Sequence, residues 1–195
     1  LGLTNQEFLM RARADLRLGV PVVLGRNGID VLVAAIDVLR QSRLDQLKSI
    51  DENSFILITA RRAETLKCPV YDGNFARLET EKSPKVSSLR AIADPSLDLT
   101  NPLKGPLNVI RERPLNLENN ALFLLKSAQL LPAAIISQVN SGEAFAKKYN
   151  LTYVQTKQLT ETAISQTSIA DAITAEIPTA TAENTRFHIF RPNIS

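Results

Sequence analysis

Short apolar runs rich in β-branched residues, set between segments of helical spacing, constrain this chain more than any other feature. The runs at 20–24, 29–35 (IDVLVAA), 54–60 (SFILITA), 133–139 (AAIISQV) and 151–156 (LTYVQT) have the length and composition of strands, and 75–80 (FARLET) is a further candidate. Between them lie helical signals. Thr4 and Glu7 form a capping-box pair before a helix running to about Leu18, with Phe8, Leu9, Ala12 and Leu16 on one face and Gly19 as its stop. Residues 36–48 predict a helix with Leu39, Leu44 and Leu47 inward, and 61–68 a helical turn stopped by Pro69. Residues 85–95 predict a short helix ended by Asp94-Pro95, 119–131 a strong helix stopped by Pro132, and 141–150 a capped helix. Prolines at 95, 102, 106 and 114 make 96–119 mostly loop. Several strands are apolar nearly throughout, so helices must cover both sheet faces. The expected class is α/β (α+β) in three layers.

At 195 residues, 44% of them hydrophobic and 22% charged, the chain is a soluble-type sequence long enough to bury a real core. No apolar run reaches the roughly 20 residues that span a bilayer. No signal peptide is visible, and the chain begins at Leu1 rather than Met. The net charge of +3 is spread along the chain and aromatic residues are few, which argues against nucleic-acid binding. A single cysteine excludes an internal disulfide and suits the cytoplasm. With one histidine, it also argues against a Cys/His metal site.

The segment Gly25-Arg26-Asn27-Gly28 separates the first two apolar runs. A phosphate-cradling loop leads from a strand into a helix, whose N-terminus supplies free N–H groups. This one leads into a second strand, and Asn-Gly tolerates positive φ at both turn positions, so a hairpin is expected. Cys68 precedes a proline in apolar surroundings and reads as core rather than nucleophile. His188 alternates with apolar residues in a terminal strand-like segment and reads as surface-facing. Arg61-Arg62 opens a helix; Arg62 and Glu64 are expected to face solvent. Arg111-Glu112-Arg113 reads as a solvated loop. Acidic residues are scattered, so no catalytic residue, metal ligand or acid–base couple is assigned.

The stretch "DLRLGVPVVL…VLVAAIDV…FILITARRAETLKCPV" resembles the N-terminal half of 3,4-dihydroxy-2-butanone 4-phosphate synthase, a riboflavin-pathway lyase. Thr59, Arg62, Ala63, Leu66 and Pro69 fall in the family's order. "SSLRAIADPS" resembles its helix after the substrate loop, and "ALFLLKSAQLLPAAIISQV…GEAFAKKYNLTYVQTKQL" resembles its C-terminal section. The likeness covers about residues 8–160 and implies a mixed sheet covered by helices on both faces. It also implies a homodimer. The family's active-site motifs are missing. Its acidic loop, with a metal-binding Glu and substrate-binding Arg and Asp, is replaced by the short Gly25–Asp30 stretch. Its His-Thr-Glu motif falls on Leu117-Glu118-Asn119, and its Thr-Gly-x-Ser-Ala-x-Asp-Arg loop has no counterpart before Ser87-Ser88.

"IPTATAENTRFHIFRP" at 177–192 resembles the junction of bacterial GTP cyclohydrolase II proteins in which a degenerate synthase-like domain precedes the cyclohydrolase. The expected organisation is a synthase-like domain at 1–160, a linker helix at 161–176 and the start of a truncated cyclohydrolase domain at 177–195. That family uses zinc, held by three cysteines of its second domain, and the synthases use magnesium; no cofactor is expected in this chain. The expectation is a non-catalytic, dimerising or regulatory domain. Two alternatives stand: an active synthase converting ribulose 5-phosphate with Mg²⁺, and a small phosphate- or nucleotide-binding module.

Overall fold

The computed structural model describes residues 4–157, 159, 169–179 and 182–192. The chain divides into two units, Leu1–Leu159 and Thr160–Ser195.

The first unit is built on a six-stranded mixed sheet. In chain order its elements are α1 (Asn5–Arg17), β1 (Val22–Arg26), β2 (Ile29–Ala35), α2 (Gln41–Ile50), β3 (Phe55–Thr59) and α3 (Ala60–Thr65). There follow β4 (Phe75–Glu79), α4 (Val86–Ala93), α5 (Glu118–Ser127), β5 (Ala133–Val139), α6 (Gly142–Tyr149) and β6 (Tyr153–Gln155). The strand order is β4-β3-β5-β2-β1-β6; only the β1–β6 pair is parallel. Strand residues alternate between two cores, as a period of two requires. Leu24, Val31, Val33, Leu57 and Ile136 pack with Leu9 and Leu16 of α1 and Leu124 and Leu125 of α5. Val23, Leu32, Ile56, Ile58 and Ile135 pack with Leu44 and Leu47 of α2, Leu89 and Ile92 of α4 and Ala146 of α6. The three-layer architecture follows directly from those apolar runs.

Local signals account for much of this order. Thr4 and Glu7 make both arms of the capping box on α1. At its other end Gly19 takes φ +76°, with Gly19 N–H donating to Leu16 O and Val20 N–H to Asp15 O. These are the two bonds of a Schellman stop. Asn27 and Gly28 both have positive φ, at 50° and 81°, and close the β1–β2 hairpin in the register Arg26↔Ile29. The loop at 96–117 covers the free edge of β4: Val109 bridges Leu78, and Ile110 N–H donates to Arg77 O at 2.8 Å.

Three local expectations are corrected. Helix α2 begins at Gln41, not 36, because Ile36 N–H is drawn to Ala133 O and prolongs the sheet. Helix α5 stops at Ser127, short of 131; Gln129 adopts φ +59° and Leu130 N–H returns to Leu125 O, a glycine-type stop made without glycine. Helix α6 begins at Gly142, whose N–H is taken by a carboxylate from β2 and not by the Ser141 side chain. The helix expected at 161–176 is strand from Ile169 on, while 161–168 lie outside the described residues.

The second unit's described residues form an antiparallel pair, β7 (Ile169–Thr179) and β8 (Ala182–Pro192). Pairing with β8 overrides the helix propensity of the Ala- and Glu-containing segment. Pro178 falls at a register shift between Ile177 and Thr179, where a missing N–H is tolerated. His188 is exposed opposite Thr174, on the surface as expected.

Candidate functional site

Three tethered segments carry the charged clusters of the first unit; the hairpin and the turn before α5 meet, and the third lies beyond the opposite end of β3. The first is the β1–β2 hairpin. Arg26 at its tip donates from Nη1 to Asn116 O at 2.9 Å, tying the hairpin to the turn before α5. Asp30, four residues on, faces the other way. Its Oδ2 accepts Gly142 N–H at 2.7 Å, at the positive end of α6, and its Oδ1 accepts the Tyr153 hydroxyl at 3.3 Å. A Cβ on Gly142 would lie 2.5 Å from Asp30 Cγ; one on Gly25 would overlap Tyr153 Oη and lie 2.6 Å from Asp30 Oδ1. The two glycines therefore make room for this junction. Burial, with the Asp30 charge and hydrogen bond adding to it, pushes the Tyr153 phenol up. A cavity of about 230 Å³ beside the hairpin is lined by Arg26, Asn27, Asp30, Tyr153, Gln155 and Lys157.

The second is the N-terminus of α5. Leu117, where the resemblance would place the family's histidine, is 1% exposed and packs in the core. Glu118 is 2% exposed. Its carboxylate accepts Leu115 N–H at 2.8 Å and Leu117 N–H at 3.0 Å, and it lies 3.9 Å from Arg77 Nε. Arg77 is itself buried, donates from Nε and Nη2 to Asp72 Oδ2, and also donates to the carbonyls of Glu112 and Arg113. Arg111, predicted to be solvated, is exposed with its guanidinium over the Tyr71 ring at 5.1 Å. These loops wall an open cleft of about 770 Å³ whose lining includes Arg77, Thr80, Arg111, Arg113 and Gln138.

The third is the loop after α4. Arg62, expected at the surface, is 7% exposed. Its guanidinium grips Asp98 bidentately at 2.7 Å on both oxygens and donates to Ile92 O and Ala91 O. Lys104 bonds the same carboxylate. These two cations hold the Asp98 carboxyl well below the usual carboxylate range, chiefly through their hydrogen bonds. Helix position alone placed Arg62 outside; the loop that folds over α3 brings the carboxylate that permits its burial. Cys68 is buried, as expected of a core thiol, and burial pushes its pKa up.

Magnesium chemistry needs several hard oxygen ligands converging on one point. Among the described residues, no three His, Cys, Asp or Glu side chains do so. Asp30 and Glu118 are instead turned onto backbone N–H groups, so the donors present do not fit such an ion. A three-cysteine zinc site does not fit either, since the chain has one cysteine. Sequence reading missed Asp30, Glu118 and Asp98 as tethers. Only Gly142, a glycine at a helix start, was a readable sign that another group approaches there.

No family model matches the chain. It is 27% identical over 191 residues to GTP cyclohydrolase-2 of Azospirillum brasilense, which covers 93% of this chain and 49% of that protein; the chain thus spans about half the length of this relative. Among solved structures it is similar to RibBX, a two-domain 3,4-dihydroxy-2-butanone 4-phosphate synthase from A. baumannii, at TM-score 0.62 and 16% identity over 94% of this chain and 66% of that one. The Candida albicans synthase aligns at TM-score 0.60 and 17% identity, over 80% of this chain and 96% of that one. A synthase in complex with two magnesium ions aligns at 0.55 and 13%, over 79% and 95%. The fold expected from the order of strands and helices is the one found: this chain has the fold of the 3,4-dihydroxy-2-butanone 4-phosphate synthases.

Proposed function

We propose that this chain is a non-catalytic, synthase-like domain of a riboflavin-biosynthesis protein of the GTP cyclohydrolase II type. Its work is structural: it dimerises, and it stabilises or regulates a cyclohydrolase domain that hydrolyses GTP. The observation that carries the reading is the fate of the carboxylates. Glu118 closes the α5 N-terminus and pairs with Arg77, and Asp30 closes α6, while Leu117 is core where the family's motif has histidine. A sugar-phosphate rearrangement needs a metal cradle and a proton-transfer group at one place. These side chains have other partners. The similarity to a GTP cyclohydrolase-2 along 93% of the chain supports the parentage. The homodimer is tested by gel filtration, where a monomer at high concentration would refute it. A single buried thiol suits a cytoplasmic setting. Among the described residues no helix is long and apolar enough to cross a membrane.

The 770 Å³ cleft, with arginines 77, 111 and 113 on its wall, favours one second reading: a residual pocket for a phosphate or nucleotide. Calorimetry against GTP, ribulose 5-phosphate and riboflavin separates the two. Heat with any of them supports the pocket; none with all three discounts it. The primary reading is tested by formate release from ribulose 5-phosphate, with none expected.

A further inference from the structure

β6 has only three residues and lies at the sheet edge, paired to β1 alone through Val23↔Tyr153, Leu24↔Val154 and Gly25↔Gln155. So short an edge strand is weakly held by its ladder. It is also the last strand of the first unit, so its position sets where the chain leaves that unit at 156–159. The side chain of Asp30 supplies what the ladder lacks. One oxygen accepts the α6 N-terminal N–H of Gly142 and the other the hydroxyl of Tyr153, so a single carboxylate joins the hairpin to both elements before the exit. Gly25 and Gly142 leave the space the junction occupies, and a Cβ at either would collide with it. Asp15 of α1 secures the beginning of the same segment through the Thr152 hydroxyl at 2.6 Å.

We propose that Asp30 is a positioning residue: with Tyr153 and Gly142 it latches the exit strand β6 and the start of α6 to the β1–β2 hairpin. The hairpin that replaces a catalytic loop thereby fixes the path by which the chain leaves the domain. The latch is a property of the fold and holds whether or not the domain is catalytic, so its test is independent of formate release.

Amide hydrogen exchange on the full chain reads it directly. Asp30→Ala removes both acceptors, and exchange at 142–144 and 153–155 is expected to rise about tenfold or more while β3 and β4 keep wild-type rates. Tyr153→Phe removes one arm, so exchange rises at 153–155 and not at 142–144. Asp30→Asn, which keeps one carbonyl acceptor, restores protection at 142–144 relative to alanine. If Asp30→Ala leaves both segments within twofold of wild type, or raises exchange equally in β3 and β4, the latch is refuted. Should the alanine variant not fold, Tyr153→Phe and Asp30→Asn decide it: a rise confined to 153–155 with Tyr153→Phe supports the latch, and unchanged rates in both variants overturn it.

Discussion

Glu118 and Arg77 are a buried ion pair at 3.9 Å that joins the first turn of α5 to the middle residue pair of the β3–β4 ladder, Leu57↔Arg77. Each also carries backbone groups, Glu118 the N–H of Leu115 and Leu117, Arg77 the carbonyls of Glu112 and Arg113. The pair is therefore the pin of the loop that covers the sheet edge.

Removing one partner strands the rest. Glu118→Ala leaves two N–H groups without their acceptor and takes one of its two carboxylate partners from Arg77, and is expected to destabilise the domain by about 3 kcal/mol. Glu118→Gln, which keeps an acceptor oxygen, costs less. Urea unfolding of both variants checks the order.

The Arg62–Asp98–Lys104 cluster makes part of the stability pH-dependent. Hydrogen bonds from Arg62 and Lys104 lower the folded-state pKa of Asp98 below its ordinary 3.8. The contribution is therefore complete above that pH and is lost as pH falls below it toward the folded value. Asp98→Asn lacks this dependence. Melting temperatures of the two proteins should differ at neutral pH and converge in acid; a constant gap would contradict the assignment.

Glycine substitutions separate crowding from backbone strain. Gly142→Ala drives a methyl into Asp30 and is expected to cost about 1–3 kcal/mol. Gly28→Ala meets open space and carries only the left-handed φ, about 1 kcal/mol. Thermal melts rank the two.

Burial raises the Cys68 thiol, so little thiolate is present at neutral pH. A disulfide reagent should label the native protein at least about tenfold more slowly than the urea-unfolded chain.

The fold was legible because the strands advertise themselves: 133–139 and 54–60 are apolar runs of strand length, and Asn27-Gly28 specifies its own turn. The Thr4/Glu7 box likewise needs only neighbours in sequence. What sequence reading missed depends on residues far apart. Arg62 finds Asp98 across 36 positions, Glu118 finds Arg77 across the sheet edge, and Asp30 finds Gly142 across 112. Gln129 in a left-handed stop and the 169–176 strand failed for a related reason: tertiary pairing and backbone strain there outweigh local propensity. The candidate site was legible mainly through the resemblance; the partners of Asp30 and Glu118 lie far from them in sequence or across the sheet and are brought together only by the fold.

We propose that the synthase fold here carries no synthase chemistry. Incubation of the purified chain with ribulose 5-phosphate and Mg²⁺, with formate as the readout, tests it most directly. No formate above the protein-free control is predicted; chelator-sensitive formate release would contradict the account.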